Sequence, residues 1–351
     1  MKFKLGKKIF ATSLLSLSPV IAMTAVACGN NLHTQKKDSK TRVIWIGVDG
    51  FSANVWKKHP TPNISKLLTN SNYSMDAQDI MPSKTYPNWS ALFTSMKPDK
   101  TGIEGNPGSI FQSKLIKKPT KWNNNGKGVA FSIFDAIKEQ TTLRSKFIYP
   151  LTKDFNIKNI VNKDAVELYF AGESDNTDPK ARDQLKRELE NKGNISSSSR
   201  IGYILSGLTD VNSIHEATKT LTSQSSEFIF SYITGLDIRG HAFGWGSNEY
   251  ISYMNQIDVY IGELMKEIRG YDNFENTIFV LTADHGGVLN DKKHGGNTPD
   301  ERTVPIIIHN RNQKEANNLG NISNLDVTPT LAKTLGLKQY KDWEGTILNL
   351  K

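Results

Sequence analysis

Three apolar runs, each leading into an aspartate, constrain the fold of this chain more than any other feature. The runs cover residues 43–48, 228–233 and 278–283, and the aspartates at or just beyond their ends are Asp49, Asp237 and Asp284. Near-continuous apolar strands are typical of a parallel sheet buried on both faces, and the amphipathic segments between them predict helices on both sides of that sheet. Open α/β sheets bind ligands at the carboxyl ends of their strands. We therefore expect the three carboxylates to meet at one edge.

Histidines lie close to two of these aspartates in the sequence. His241 follows Asp237 by four residues, His285 is next to Asp284, and His294 comes nine residues later. Carboxylate oxygens and imidazole nitrogens are ligands of zinc and similar divalent ions. The pattern predicts two ions with three protein ligands each: Asp237, His241 and His294 for the first, and Asp49, Asp284 and His285 for the second. Two such ions about 3.5–4 Å apart can clamp a phosphoryl group during an in-line displacement.

Several short motifs occur in the order in which the alkaline phosphatase superfamily has them. They are Val-Asp-Gly at 48–50, Pro-Ser-Lys-Thr-Tyr-Pro-Asn at 82–88, Thr-Gly-Ile at 101–103 with Asn106, the segment 237–241, Asp-His-Gly at 284–286, and Val-Thr-Pro-Thr at 327–330. The chain most resembles the nucleotide pyrophosphatase/phosphodiesterase (type I phosphodiesterase) branch. The resemblance implies an alkaline-phosphatase-like α/β domain over residues 41–351, with a mostly parallel central sheet, helices on both faces, and an insertion or cap at residues 107–225.

The same resemblance implies roles for Thr85 and Asn106. Thr85 would be the nucleophile, bound to the second ion and transiently phosphorylated, and Asn106 would bind a non-bridging phosphate oxygen. A threonine hydroxyl needs a base or a metal to become a good nucleophile. The residues after it, 89–96, are compatible with a helix, and free N–H groups at a helix N-terminus favour an anionic phosphate.

The first forty residues have the features of a secretion signal and a tether. Lysines precede an apolar run that ends in Ala-Val-Ala-Cys at 25–28, which predicts a signal peptide over residues 1–27. The arrangement resembles a bacterial lipobox, in which Cys28 would be lipidated, and a signal anchor with an incidental cysteine is the alternative. Residues 28–40 are polar and predict a flexible tether. We therefore expect a lipid anchor at the outer face of a cell membrane.

The charge of the chain is concentrated in this leader and tether. The 351 residues carry a formal charge of +9, but seven lysines and one acid lie in residues 1–40, which leaves 37 basic and 34 acidic groups in the rest. A net +3 over the folded part does not favour a polyanion-binding domain, so no specific nucleic-acid binding is expected. The single cysteine excludes an intramolecular disulfide framework.

The expected function is a two-zinc hydrolase of phosphate diesters or pyrophosphates acting on a small-molecule ester. His294 follows Asp284 and His285 more closely than the last metal histidine does in many nucleotide-hydrolysing relatives. That spacing resembles phosphoethanolamine transferases, so a group transferase or a phosphomonoesterase is the alternative. A sulfatase is disfavoured because the nucleophile position holds Thr85 instead of a modified cysteine or serine. A binding lipoprotein on an inactive scaffold is disfavoured because none of the seven predicted metal and nucleophile residues is missing.

Overall fold

An eight-stranded sheet forms the centre of the molecule. The computed structural model describes residues 41–106, 131–150, 157–171, 197–270 and 276–351. The strands run in the order β4-β3-β5-β1-β6-β7-β2-β8. Their bounds are β1 Arg42–Val48, β2 Asn72–Gln78, β3 Ser145–Tyr149, β4 Glu167–Phe170, β5 Phe228–Ile233, β6 Thr277–Ala283, β7 Thr303–Asn310 and β8 Asn317–Asn318.

The three strands that precede the aspartates lie side by side. β1 pairs in parallel with β5 on one side and with β6 on the other, so that Val48 is opposite both Ile233 and Ala283. All three strands are fully buried. β7 is antiparallel to β6 and β2, while the remaining pairs are parallel. The predicted mostly parallel sheet, with its aspartates at one edge, is confirmed.

Helices flank this sheet. In the described residues they are α1 Ala53–Lys58, α2 Pro62–Leu68, α3 Thr85–Thr94, α4 Pro98–Thr101, α5 Ile133–Gln140, α6 Ser197–Thr222, α7 Gly235–Phe243, α8 Asn248–Gly270, α9 Pro299–Arg302 and α10 Val327–Thr334. Short 3₁₀ turns occupy Ile157–Ile160 and Asn324–Asp326. None of the described helices is both long and apolar enough to cross a membrane.

Aromatic side chains fix α3 against the centre of the sheet. Trp89 and Phe93 of α3 meet Phe230 of β5, with ring centroids 5.4 and 4.9 Å apart. Phe93 also lies edge-on to Trp45 of β1, at 5.6 Å. All four side chains are completely buried. Because aromatic pairs in a packed core hold a defined geometry, the start of α3 at Thr85 is held at a fixed place beside the strand ends.

Residues 107–225, for which the sequence predicts an insertion or cap, contribute to the central sheet in their described parts. There β3 pairs with β5 and with β4, and the region also contributes α5 and α6. β3 is buried but only five residues long, and β4 is four residues long and partly exposed, so both are shorter than the apolar runs of β1, β5 and β6. The described part of the region therefore belongs to the same domain. The predicted signal peptide, the tether and Cys28 lie outside the described residues.

Candidate metal centre

The three carboxylates meet at the carboxyl edge of the sheet as expected. Asp49 and Asp284 are almost completely buried, and Asp284 Oδ1 accepts a hydrogen bond from the Gly50 amide at 3.0 Å. The Asp237 amide donates to the Asp49 carbonyl at 3.1 Å. Gly50 has a φ of +69°, and a Cβ there would lie 2.8 Å from Asp237 Cα. Only glycine therefore suits the turn that brings these segments together.

Each of the three histidines is held by a backbone carbonyl at Nδ1. His241 Nδ1 lies 3.0 Å from the Lys292 carbonyl, His285 Nδ1 lies 2.8 Å from the Gly286 carbonyl, and His294 Nδ1 lies 2.8 Å from the Ser83 carbonyl. A carbonyl only accepts, so Nδ1 acts as the donor in each ring and Nε2 is the nitrogen left to bind a metal. This is the tautomer that binds a metal through Nε2.

The Nε2 atoms of the three histidines lie close to the carboxylates, and two of them lie close to each other. His294 Nε2 lies 3.2 Å from His241 Nε2 and 3.7 Å from Asp237 Oδ1, and His241 Nε2 lies 3.5 Å from Asp237 Oδ2. His285 Nε2 lies 3.4 Å from Asp49 Oδ1 and 3.3 Å from Asp284 Oδ2. The structure thus brings all six predicted ligands together. Ligand atoms of His285 lie within 4.8 Å of those of Asp237 and His294 as well as those of Asp49 and Asp284. His241, predicted with Asp237 and His294, joins through these two residues, so the six form one continuous cluster.

The chemistry of this cluster fits divalent cations. One oxygen of each aspartate, Asp49 Oδ1, Asp237 Oδ1 and Asp284 Oδ2, is buried without a hydrogen-bond donor. Buried, unpaired acceptors are costly, and a cation bound between them would offset that cost. A mixed oxygen and nitrogen donor set of this kind is what zinc and similar ions take.

Burial also displaces the protonation equilibria of the cluster. Burial, with the charges of Asp284 and Asp237, raises the pKa of the Asp49 carboxyl well above its usual range. Burial raises the pKa of the Asp284 carboxyl in the same way, and it lowers the pKa of His285 well below the usual value. All three shifts express first the cost of charge in a desolvated site. A bound divalent ion would offset that cost and favour the ionised carboxylates.

Thr85 is the first residue of α3 and lies at the edge of the cluster. Its Oγ1 is 3.3 Å from His285 Nε2 and 3.3 Å from Asn106 Nδ2. Asn106 Oδ1 accepts from the Tyr86 amide at 2.9 Å, which fixes the amide so that its NH₂ faces Thr85. The structure therefore brings together the two residues for which the resemblance implied catalytic roles. It also places both at a helix N-terminus, where backbone N–H groups favour an anion.

Asn88 holds the loop before Thr85, a role that the sequence did not reveal. Its Nδ2 donates to the carbonyls of Ile80, Pro82 and Lys84 at 3.0, 3.1 and 3.2 Å. Its Oδ1 accepts from the Ile80 amide at 2.8 Å. The fully buried side chain thus replaces regular backbone pairing along the loop. Only its position in the motif at 82–88 hinted at importance.

Two further residues hold the predicted ligands in place through hydrogen bonds. Tyr232 of β5 donates its hydroxyl to Asp49 Oδ2. Asp210 of α6 accepts from the amides of Thr234 and Gly235 at 3.0 and 2.8 Å, at the start of the helix that carries Asp237. Neither has a local sequence signal, because each contact joins segments distant in the chain.

Residues 43–304 match the family described as type I phosphodiesterase / nucleotide pyrophosphatase. The chain belongs to this family. The match covers most of the described fold and all six ligand positions as well as Thr85 and Asn106.

Curated relatives of the chain include enzymes of two kinds. Bis(5'-adenosyl)-triphosphatase enpp4 of Xenopus laevis is 21% identical over 249 residues, which are 71% of this chain and 47% of that protein. GPI ethanolamine phosphate transferase 2 of Aspergillus fumigatus is 28% identical over 155 residues, which are 38% of this chain and 20% of that protein. The chain thus spans about half or less of the length of these relatives.

Solved structures share the fold at low sequence identity. Murine ectonucleotide pyrophosphatase/phosphodiesterase 5, an inactive variant in complex with AMP, gives a TM-score of 0.60 at 14% identity over 88% of this chain and 98% of that chain. A 2-O GAG sulfatase gives 0.62 at 13% identity over 88% and 73%. These likenesses establish the alkaline-phosphatase-like fold.

His294→Ala should remove about one equivalent of bound zinc if His294 Nε2 is, as predicted, a ligand atom of the more exposed group. The measurement is the number of zinc ions per chain, by elemental analysis after dialysis, together with the affinity of the variant for zinc. His309→Ala is the matched control: His309 is a buried histidine whose Nδ1 contacts Asn70 and Ser71. Retention of both zinc equivalents by His294→Ala would contradict the assignment of His294 as a ligand.

Proposed function

We propose that the protein is a two-zinc hydrolase of phosphate diesters or pyrophosphates that acts through a phosphorylated Thr85. The observation that carries the proposal is the position of Thr85 Oγ1, at the N-terminus of α3 and 3.3 Å from both His285 Nε2 and Asn106 Nδ2. Family membership supports phosphoester chemistry. Two bound divalent ions would supply positive charge for the phosphate oxygens and a lowered pKa for the Thr85 hydroxyl.

The reaction would proceed in two displacements. Thr85 Oγ1 forms a bond to phosphorus as the bond to the leaving-group oxygen breaks, its proton passes to solvent, and the leaving group takes up a proton. Asn106 Nδ2 donates to a non-bridging oxygen, in an orientation fixed by the Tyr86 amide. Water then attacks phospho-Thr85 from the opposite side and releases a phosphate monoester and the free hydroxyl. Stabilisation of the charged oxygens by oriented donors is expected to be the largest contribution of the chain's own residues.

The neutral amide at Asn106 supports a diester over a monoester. A monoester dianion gains from a cationic clamp such as arginine, whereas a diester has a single negative charge and a second substituent to accommodate. Arg144, the next arginine after Asn106 in the sequence, pairs with Glu227 at 2.9 Å beside the first residue of β5, at the end of the strand away from the site. The relative bound to AMP also supports a nucleotide-sized substrate.

Transfer of phosphoethanolamine to an alcohol is the second candidate. The sequence similarity to fungal GPI ethanolamine phosphate transferases favours it, and both reactions would share the phospho-Thr85 intermediate. They differ only in the acceptor that attacks this intermediate. A lipid anchor at Cys28 and a location at the outer face of a cell membrane remain proposals, which rest on the N-terminal sequence alone.

Thr85→Ala should lower turnover by at least about 10³-fold while zinc content stays near two equivalents, because the six aspartate and histidine ligands remain. Thr85→Ser, which keeps a hydroxyl, should retain part of the activity and form a phosphorylated protein detectable by mass. Turnover of Thr85→Ala within tenfold of the unaltered protein would remove Thr85 from the nucleophile role and favour direct attack by water.

An aryl nucleotide diester should be hydrolysed with a kcat/KM at least about tenfold above that of the matching aryl monoester, for the charge reason given above. Asn106→Ala should lower the diester kcat by about 10²-fold, the scale of losing one oxyanion donor. Asn255→Ala, which alters an asparagine whose amide only contacts its own helix, is the control. A preference for the monoester would overturn the diester assignment and leave the two-metal site in place.

The choice between hydrolysis and transfer can be measured by product partition. With an aryl phosphodiester as donor and ethanolamine or glycerol as a competing acceptor, a hydrolase should yield the water product in more than nine-tenths of turnovers at acceptor concentrations in the millimolar range. Mass spectrometry of the products gives the ratio. A majority of transfer product would replace hydrolysis with the second candidate.

A further inference from the structure

Trp245 contacts every segment of the chain that carries one of the six predicted aspartate and histidine ligands. These segments are three and lie far apart in the sequence: residues 49–50, which follow β1; helix α7; and residues 284–294, the ligand loop. Trp245 lies just beyond α7 and is completely buried. Its ring packs against the cluster, 5.2 Å from the ring of His241 between centroids, but the indole has no atom that could bind a metal ion.

The indole N–H reaches the first segment. Trp245 Nε1 donates to the Gly50 carbonyl at 3.0 Å, and the amide of the same glycine donates to Asp284 Oδ1. The position of Gly50 therefore depends on Trp245 on one side and sets the Asp284 carboxylate on the other. Tyr250 donates to the same carbonyl at 2.7 Å, so Trp245 is one of two donors that hold it.

The backbone of Trp245 reaches the ligand loop. Its amide donates to the Asp291 carbonyl at 3.1 Å, and its carbonyl accepts from the Asn290 amide at 2.9 Å. These residues stand between His285 and His294 in the sequence. The two bonds tie the end of α7, which carries Asp237 and His241, to the loop that carries the other two histidines.

The indole ring packs against the histidines and the backbone beside them. Its centroid is 5.2 Å from that of His241, with the planes at 81°, and 5.6 Å from that of His294. A Cβ at Gly240 would lie 2.5 Å from the ring, and one at Gly287 would lie 2.1 Å from it. Both glycines are within two residues of a histidine ligand, so the ring fills the space that a side chain there would need.

We propose that Trp245 is a positioning residue that sets the separation of the three ligand-bearing segments and thereby the affinity and geometry of the metal centre. The proposal rests on the proposed metal-dependent function. Supporting residues that orient metal ligands typically change metal affinity by about 10–100-fold when altered. Ordinary core tryptophans change stability without such an effect.

Trp245→Phe tests the proposal, with Trp45→Phe as the matched control. Trp45 is also completely buried and also loses one indole hydrogen bond, to Thr282 Oγ1 at 2.8 Å, but it contacts no predicted ligand in the described structure. Both variants should lower the melting temperature of the metal-free protein. Only Trp245→Phe should lower zinc affinity, by about tenfold or more for at least one ion, in competition with a chelator.

The visible absorption spectrum of the cobalt-loaded protein adds a readout that stability alone does not move. Trp245→Phe should change the band positions that report coordination geometry, while Trp45→Phe should keep those of the unaltered protein. If Trp245→Phe does not fold without metal, the zinc concentration for half-maximal thermal stabilisation replaces the competition experiment and should be raised about tenfold relative to Trp45→Phe.

One result would overturn the role of Trp245, and a different result would overturn the metal-dependent function itself. Equal zinc affinity and equal cobalt spectra for the two variants, with the unaltered protein binding zinc normally, would show that Trp245 is an ordinary core residue. Failure of the unaltered protein to bind zinc or cobalt would instead overturn the proposed metal-dependent function on which the inference depends.

Discussion

Asp49 and Asp284 lie side by side just beyond the ends of adjacent parallel strands, both buried and each with one oxygen that has no hydrogen-bond donor. Their proximity is dictated by the register of β1 and β6, which itself follows from the buried apolar runs. Folding therefore concentrates negative charge at one edge of the sheet, at a cost that a proton or a cation has to relieve. The raised pKa values of both carboxyls are consequences of this one constraint.

The nucleophile is positioned by a different part of the structure. Trp89 and Phe93 secure α3 to β5 and β1 through aromatic packing, while Asn88 organises the loop that precedes the helix. The carbonyl of Ser83 in that loop also holds His294. The hydroxyl of Thr85 and the last histidine of the cluster are consequently set by the same few residues, so their geometry is coupled.

The sequence alone was sufficient for the fold class and for naming the six aspartates and histidines that the structure brings together at the carboxyl edge of the sheet. The apolar runs that lead into Asp49, Asp237 and Asp284 are visible without a structure. The histidines could be assigned to the same site because they lie a few residues from Asp237 and Asp284 in the sequence. Tyr232, Asp210 and Trp245 were not predictable, because their partners are dozens to nearly two hundred residues away and their own neighbourhoods look like ordinary core. β3 and β4 were missed because their signals are short: β3 begins with Ser145 and Lys146 and has only three apolar residues, and β4 is four residues long and partly exposed. Runs of this length do not distinguish a strand from a loop.

The two halves of the cluster differ in their access to solvent. The side chains of Asp284 and His285 are wholly inaccessible, whereas that of His241 is 48% exposed and its Nδ1 partner is the carbonyl of an exposed loop residue, Lys292. Ions held by these two environments would exchange with solution at different rates, since the side chains around one of them are far more exposed to solvent than those around the other. The protein could thus be prepared with different metals in its two positions by brief dialysis, and each position could then be studied separately in a single preparation.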